Sequence, residues 1–114
     1  MKITHRFYKK EGVQVLELHD LLYEIENKEI LRAAISQIEK GFTNFVVDFS
    51  DMKYMNSVGL SFLIGLMKKL KAADGKLVLA NVNNAIAKLL MITKVDSLFT
   101  IKNSMEEAIG EIKA

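Results

Sequence analysis

The sequence contains no cysteine, no proline and no tryptophan, and only two histidines, His5 and His19. Without cysteine there is no disulfide scaffold, no thiolate zinc site and no thiol catalysis. Two histidines give no ground for a histidine-rich metal centre. Net charge is small as well: 16 lysines and arginines against 14 aspartates and glutamates leave +2. That balance argues against nucleic acid or an anionic membrane as the partner. The longest apolar stretches fall far short of the ~20 residues a membrane span needs. The start, Met1-Lys2-Ile3-Thr4-His5-Arg6, alternates polar and apolar residues and lacks an apolar signal core. With neither export signal nor cysteine, a cytoplasmic location is expected. So thin a repertoire points to a binding or regulatory module rather than an enzyme, with no cofactor and no metal.

What is present is an ordinary globular composition. The 114 residues are 50% apolar and 26% charged, enough for one domain that buries about two-thirds of its unfolded surface. No repeat or low-complexity linker interrupts the chain, so residues 1–114 are read as one unit. Residues 2–9 alternate, with Ile3, His5 and Phe7 on one side. A turn at Lys9-Lys10-Glu11-Gly12 and a second strand, Val13–Leu18, complete a hairpin. The period then changes: Ile30, Leu31, Ala34, Ile35 and Ile38 share a helical face within 26–40, and Gly41 suits the position after the helix. Phe45–Phe49 reads as a strand buried on both faces.

A loop over Ser50–Asn56 leads to a second helix, Val58–Ala73, with Ser57 at its N-cap and Leu60, Leu63, Ile64, Met67 and Leu70 as its core stripe. Gly75 ends it. Lys76–Ala80 is the next strand, Asn83 or Asn84 caps a helix to Met91, and Leu98–Ile101 is a short last strand. Asn103 or Ser104 caps a final helix, Met105–Ile112, with Glu106 and Glu107 in its first turn. The order ββαβαβα(β)α predicts an α/β fold: a mixed sheet covered by helices, its parallel strands joined by right-handed crossovers.

In such sheets, sites collect where strands end and helices begin. The richest junction is Asp48-Phe49-Ser50-Asp51-Met52-Lys53-Tyr54-Met55-Asn56-Ser57-Val58-Gly59-Leu60. Ser57 is read in two ways: as a cap and nothing more, or as a hydroxyl placed where free amides and the helix dipole favour an anion. Gly59 leaves the first turn open to a partner's backbone. Val58, Phe62 and Leu66, four apart, form a second apolar line that is either buried or a partner surface. Asp48, Asp51 and Asp20 offer a possible acidic cluster, with solvated loop acids as the default. Lys68, Lys69 and Lys71 read as a solvated face, and no phosphate-binding glycine loop is present.

Tyr54-Met55-Asn56-Ser57-Val58-Gly59-Leu60, preceded by Val46-Val47-Asp48-Phe49-Ser50, resembles the signature of STAS domains, and more specifically of bacterial anti-sigma factor antagonists. Gly75-Lys76-Leu77-Val78-Leu79-Ala80-Asn81-Val82 and Leu89-Leu90-Met91-Ile92-Thr93-Lys94-Val95-Asp96-Ser97-Leu98-Phe99 resemble that family's closing half. The likeness covers about residues 45 to 105. It implies a protein-interaction switch. The partner is an anti-sigma factor that is itself a serine kinase, Ser57 is the phosphoacceptor, and a phosphatase is a further partner. Recognition then centres on Asn56, Ser57, Val58, Gly59 and Leu60, with Phe62 and Leu66 as apolar contacts and Asp20 and Tyr23 alongside. The chain departs from the family twice. Asn56 stands where the motif has an acid, and Tyr23 ends a stretch, Asp20-Leu21-Leu22-Tyr23, whose last residue is an acid in the family. Two other readings stay open: a scaffold or sensor of the same fold without a working switch, and a small nucleotide binder or enzyme using Asp48 and Asp51.

Overall fold

A computed structural model describes residues 5–19 and 24–114. Five strands, β1 (His5–Lys10), β2 (Val13–Leu18), β3 (Asn44–Asp48), β4 (Lys76–Ala80) and β5 (Thr100–Lys102), form one sheet in that spatial order. β1 and β2 are antiparallel; every later pairing is parallel. The helices are α1 (Glu24–Glu39), α2 (Ser57–Ala72), α3 (Asn84–Ile92) and α4 (Met105–Lys113). This is the expected mixed α/β sheet with crossover helices.

The hairpin turn needs positive φ at both central residues to match the strand twist. Glu11 (φ 52) and Gly12 (φ 81) supply it, and Lys10 pairs with Val13 across the turn. The strand therefore runs one residue further than the alternation predicts. β3 is buried along Phe45–Asp48, because both faces of the sheet are covered. Phe45, Val47 and Leu79 point to the layer holding Ile30 of α1, Leu63 and Leu66 of α2, and Ile86 and Leu90 of α3. Val46, Val78 and Ala80 point the other way, onto Ala108, Ile109 and Ile112 of α4. Alternate residues of one short strand thus bind two helical layers together.

Two expectations are corrected. The last strand begins at Thr100, not Leu98; Asp96–Leu98 is a single 3₁₀ turn that leaves Leu98 half exposed. Lys94 enters this turn in the left-handed region (φ 61), and pairing to β4 starts only where Thr100 meets Val78. The core stripe of α2 is also rotated. Gly59, Phe62, Leu63, Leu66 and Leu70 are buried, whereas Leu60, Ile64 and Met67 are half-buried. α2 packs against α1 as well as the sheet, so its buried arc is wider than one stripe, and the second apolar line of Phe62 and Leu66 belongs to the core.

Candidate functional site

The parallel strands β2, β3 and β4 end on the same side of the sheet, and the connection from β3 to α2 crosses that end. Its course is fixed from two directions. Asp48, at the end of β3 and 5% exposed, accepts hydrogen bonds from the Ser50 amide (3.0 Å), the Ser50 hydroxyl (3.2 Å) and the Asn81 side-chain amide (2.9 Å). Asn81 reaches it from a left-handed backbone position (φ 59) just after β4. Asn83 caps α3 by accepting from the Ile86 amide (2.8 Å), and its Nδ2 donates to the carbonyls of Met52 (3.1 Å) and Lys53 (3.0 Å). Met52, 2% exposed, is driven into the core beneath. The loop is therefore anchored at its near end by a carboxylate and in its middle by an asparagine. This leaves Tyr54, 77% exposed, and the start of α2 facing outward.

The cap of α2 differs from expectation. Asn56 is the N-cap: its Oδ1 accepts from the Gly59 amide (3.0 Å) and its carbonyl accepts from the Leu60 amide (3.0 Å). Ser57 is the first helical residue, exposed, and is not needed for the cap. Asparagine and serine cap equally well, so two such residues in a row leave the sequence ambiguous by one position. With the Gly59 and Leu60 amides bound to Asn56, the amides of Ser57 and Val58 remain, among the described residues, as orphan donors of the first turn. No acid lies in that turn, so the positive end of the dipole is uncompensated there. Replacing Asn56 by alanine is expected to lower stability by about 1 kcal/mol, read from the denaturation midpoint. Asn56→Asp should keep the cap and match or exceed the wild type.

The other expected contacts separate into groups. Asn56 and Ser57 are exposed together. Val58 is half-buried against α1, and Leu60 is half-buried against the core. Gly59 is buried, so the first turn is not open at that residue to an approaching backbone. Phe62 (3%) and Leu66 (0%) are core side chains and present no apolar surface to a partner. Asp20 and Tyr23 lie outside the described residues. Of the acidic cluster, the two described members have separate partners: Asp48 is taken by Ser50 and Asn81, and Asp51 faces His19 (Nδ1 to Oδ2, 3.6 Å). The other side of that ring lies 3.1 Å from Glu17, whose second oxygen accepts from Arg6 at 3.0 Å. Among the described residues Glu17, His19 and Asp51 are the set whose spacing suits a metal ion. Arg6 already neutralises one of its carboxylates. Burial lowers the pKa of the His5 imidazole, and nearby His19 adds to the effect.

Sequence reading missed the anchoring roles of Asn81 and Asn83. Asn83 carried a signal as a helix cap, but nothing local shows that its amide reaches a loop 30 residues earlier.

The α/β domain thus presents a serine at an exposed helix start, on a loop fixed by buried polar contacts. The STAS domain profile matches residues 6–108, and the chain belongs to the STAS domain family. It is 26% identical over 113 residues to BtrV of Bordetella bronchiseptica, named as a candidate anti-sigma factor antagonist, covering 99% of this chain and 96% of that one. It is 29% identical over 76 residues to the anti-sigma-B factor antagonist of Listeria monocytogenes, covering 67% and 66%. Among solved structures, SpoIIAA in its unphosphorylated form superposes with a TM-score of 0.81 at 20% identity, over 96% of each chain. The phosphorylated form from Bacillus gives 0.74 at 21%, over 95% of this chain and 98% of that one.

Proposed function

We propose that this chain is an anti-sigma factor antagonist, that residues 1–114 act as a single STAS domain, and that Ser57 is the phosphoacceptor of its switch. The unmodified protein binds an anti-sigma factor with serine kinase activity and so releases a sigma factor. Phosphorylation of Ser57 ends that binding, and a phosphatase restores it. The protein acts by binding, in the cytoplasm, and the kinase brings the catalysis. The observation that carries this reading is that Asn56 makes the cap, which leaves the exposed Ser57 hydroxyl available at a helix start. A phosphate there adds about −1.5 to −2 charges beside orphan amides and the positive dipole end, so modification changes the surface without opposing the helix. Asn56 and Ser57, with exposed Tyr54 beside them, form the contact centre. Val58 and Leu60 contribute only their exposed edges.

The test is incubation with ATP and the cognate anti-sigma factor, followed by intact-mass analysis and peptide mapping. One phosphate is expected, on Ser57, and none on Ser57→Ala. Modification elsewhere, or none on wild-type protein with an active kinase, removes the phosphoswitch and leaves a scaffold or sensor role for the fold.

A further inference from the structure

The ends of β2 and β3 gather acids beside one another. Glu17 and Asp48 are register partners, so their side chains leave the same face of the sheet. Asp51 follows in the loop and comes back over the end of β2 to His19. Against these three carboxylates, the permanent cation paired within the group, among the described residues, is Arg6. It is exposed and donates to Oε2 of Glu17 at 3.0 Å. The excess of negative charge is felt nearby. The Tyr8 phenol is held above its ordinary pKa by burial and then by Asp48 and Glu17, and Arg6 opposes this without cancelling it.

The geometry points to a site for a divalent metal ion of the zinc class, held by Oε1 of Glu17, one imidazole nitrogen of His19 and one carboxylate oxygen of Asp51, with water completing the shell. Composition argues against a metal because it counts histidines, whereas these donors come from two segments that only the fold brings together. One ligand atom from each residue lies within 4.8 Å of the other two. Donors around a tetrahedral zinc ion stand roughly 3.4 Å apart, so closing the set takes a movement of about 1 Å. The exposed Asp51 side chain is free to make it. Glu17 is already oriented: Arg6 holds Oε2, which leaves Oε1 turned to the imidazole at 3.1 Å. Outer partners of this kind fix a ligating carboxylate. The imidazole selects zinc-class ions, whereas magnesium and calcium take oxygen ligands. An ion here pins the end of β2 to the loop that leads to Asn56 and Ser57. The site does not depend on whether Ser57 is phosphorylated.

Calorimetric titration of the full chain, stripped of metal by chelation, with zinc chloride tests this. One ion per chain is expected, with a dissociation constant tighter than about 100 μM. Zinc at a hundredfold excess over that constant should raise the thermal midpoint by roughly 10 °C. Magnesium chloride at the same concentration should move it by less than about 1 °C. His19→Gln and Asp51→Ala should each bind zinc at least roughly tenfold more weakly. His5→Gln, which keeps all three donors, should bind within about threefold of wild type. Wild-type binding weaker than about 100 μM overturns the proposal, as does wild-type affinity in either His19→Gln or Asp51→Ala. An equal loss in His5→Gln puts the ion elsewhere and overturns it too. So do equal midpoint shifts from zinc and magnesium on the wild type, a comparison that stands even if a variant fails to fold.

Discussion

Substitution of Gly75 by alanine is expected to lower the thermal midpoint by roughly 10 °C, although the side chain gained is a single methyl group. A Cβ at this position would lie 2.2 Å from the carbonyl oxygen of Thr43, 3.0 Å from the Thr43 Cβ and 3.1 Å from its carbonyl carbon. These are atoms of the segment entering β3, and the oxygen is itself engaged, accepting from the Lys76 amide at 2.9 Å. Nothing flexible can yield, so β3 and β4 must part where their pairing begins, or the end of α2 must shift. Overpacking costs about 1–3 kcal/mol when side chains can adjust. A clash with backbone belongs at the upper end, and at about 4 °C per kcal/mol for a domain near this size it gives the stated drop. The neighbouring residue is the control. Asp74 occupies the left-handed region (φ 56) that closes the helix, while Gly75 donates to the Leu70 carbonyl at 2.7 Å. Asp74→Gly should therefore leave the midpoint within a few degrees of wild type or raise it, since glycine adopts that conformation without penalty. A Gly75→Ala midpoint within about 2 °C of wild type would show that the junction yields and the argument is wrong.

The Gly75 case also shows where sequence reading reaches its limit. A glycine after a helical run signals an ending, and the helix does end there, but the conformational work falls to Asp74, and Gly75 is required by a backbone 32 residues away. Element order was legible because each element carries its own period. Phe45–Phe49 is continuously apolar, α1 repeats every three to four residues, and the hairpin has its glycine. Parallel pairing followed from the alternation of strands and helices. Features that depend on two elements meeting were not legible. The width of the buried arc on α2 depends on α1 lying beside it, so Phe62 and Leu66 were assigned to the surface as readily as to the core. Ser57 was found because its surroundings form a motif, yet its separation from the capping role depends on the helix starting one residue earlier, a choice that local propensity leaves even. Asp48 illustrates the same limit. As a residue type it suggests chemistry, whereas its burial and three donors from Ser50 and Asn81 make it a structural anchor.

Ser57→Asp is expected to bind the cognate anti-sigma factor at least roughly a hundredfold more weakly than wild type, whereas Ser57→Ala should bind within about threefold. The argument rests on separating folding from binding. Within the free protein an acid at Ser57 is well placed: it occupies the first position of a 16-residue helix whose first turn holds no other acid, and a carboxylate there interacts favourably with the dipole by about 0.3–1 kcal/mol. The aspartate variant should therefore melt at or slightly above the wild-type temperature. In the complex the sign reverses. The proposed contact surface is centred on Ser57, so the carboxylate would be taken out of water, and the first turn of α2, Ser57–Leu60, holds no cation to meet it. An unpaired charge buried in that way costs about 3–5 kcal/mol, or roughly 10²–10³ in affinity. Asn56 sharpens the contrast. With a neutral residue in the motif's acidic position, the charge added at Ser57 is the first in that turn, and the surface changes from uncharged to anionic in one step. A phosphate, at about −1.5 to −2 charges, should exceed the effect of aspartate. Calorimetric titration of the three proteins against one anti-sigma factor, with melting curves run in parallel, gives both quantities. If the aspartate variant binds as tightly as wild type while remaining folded, Ser57 lies outside the interface and cannot be its switch.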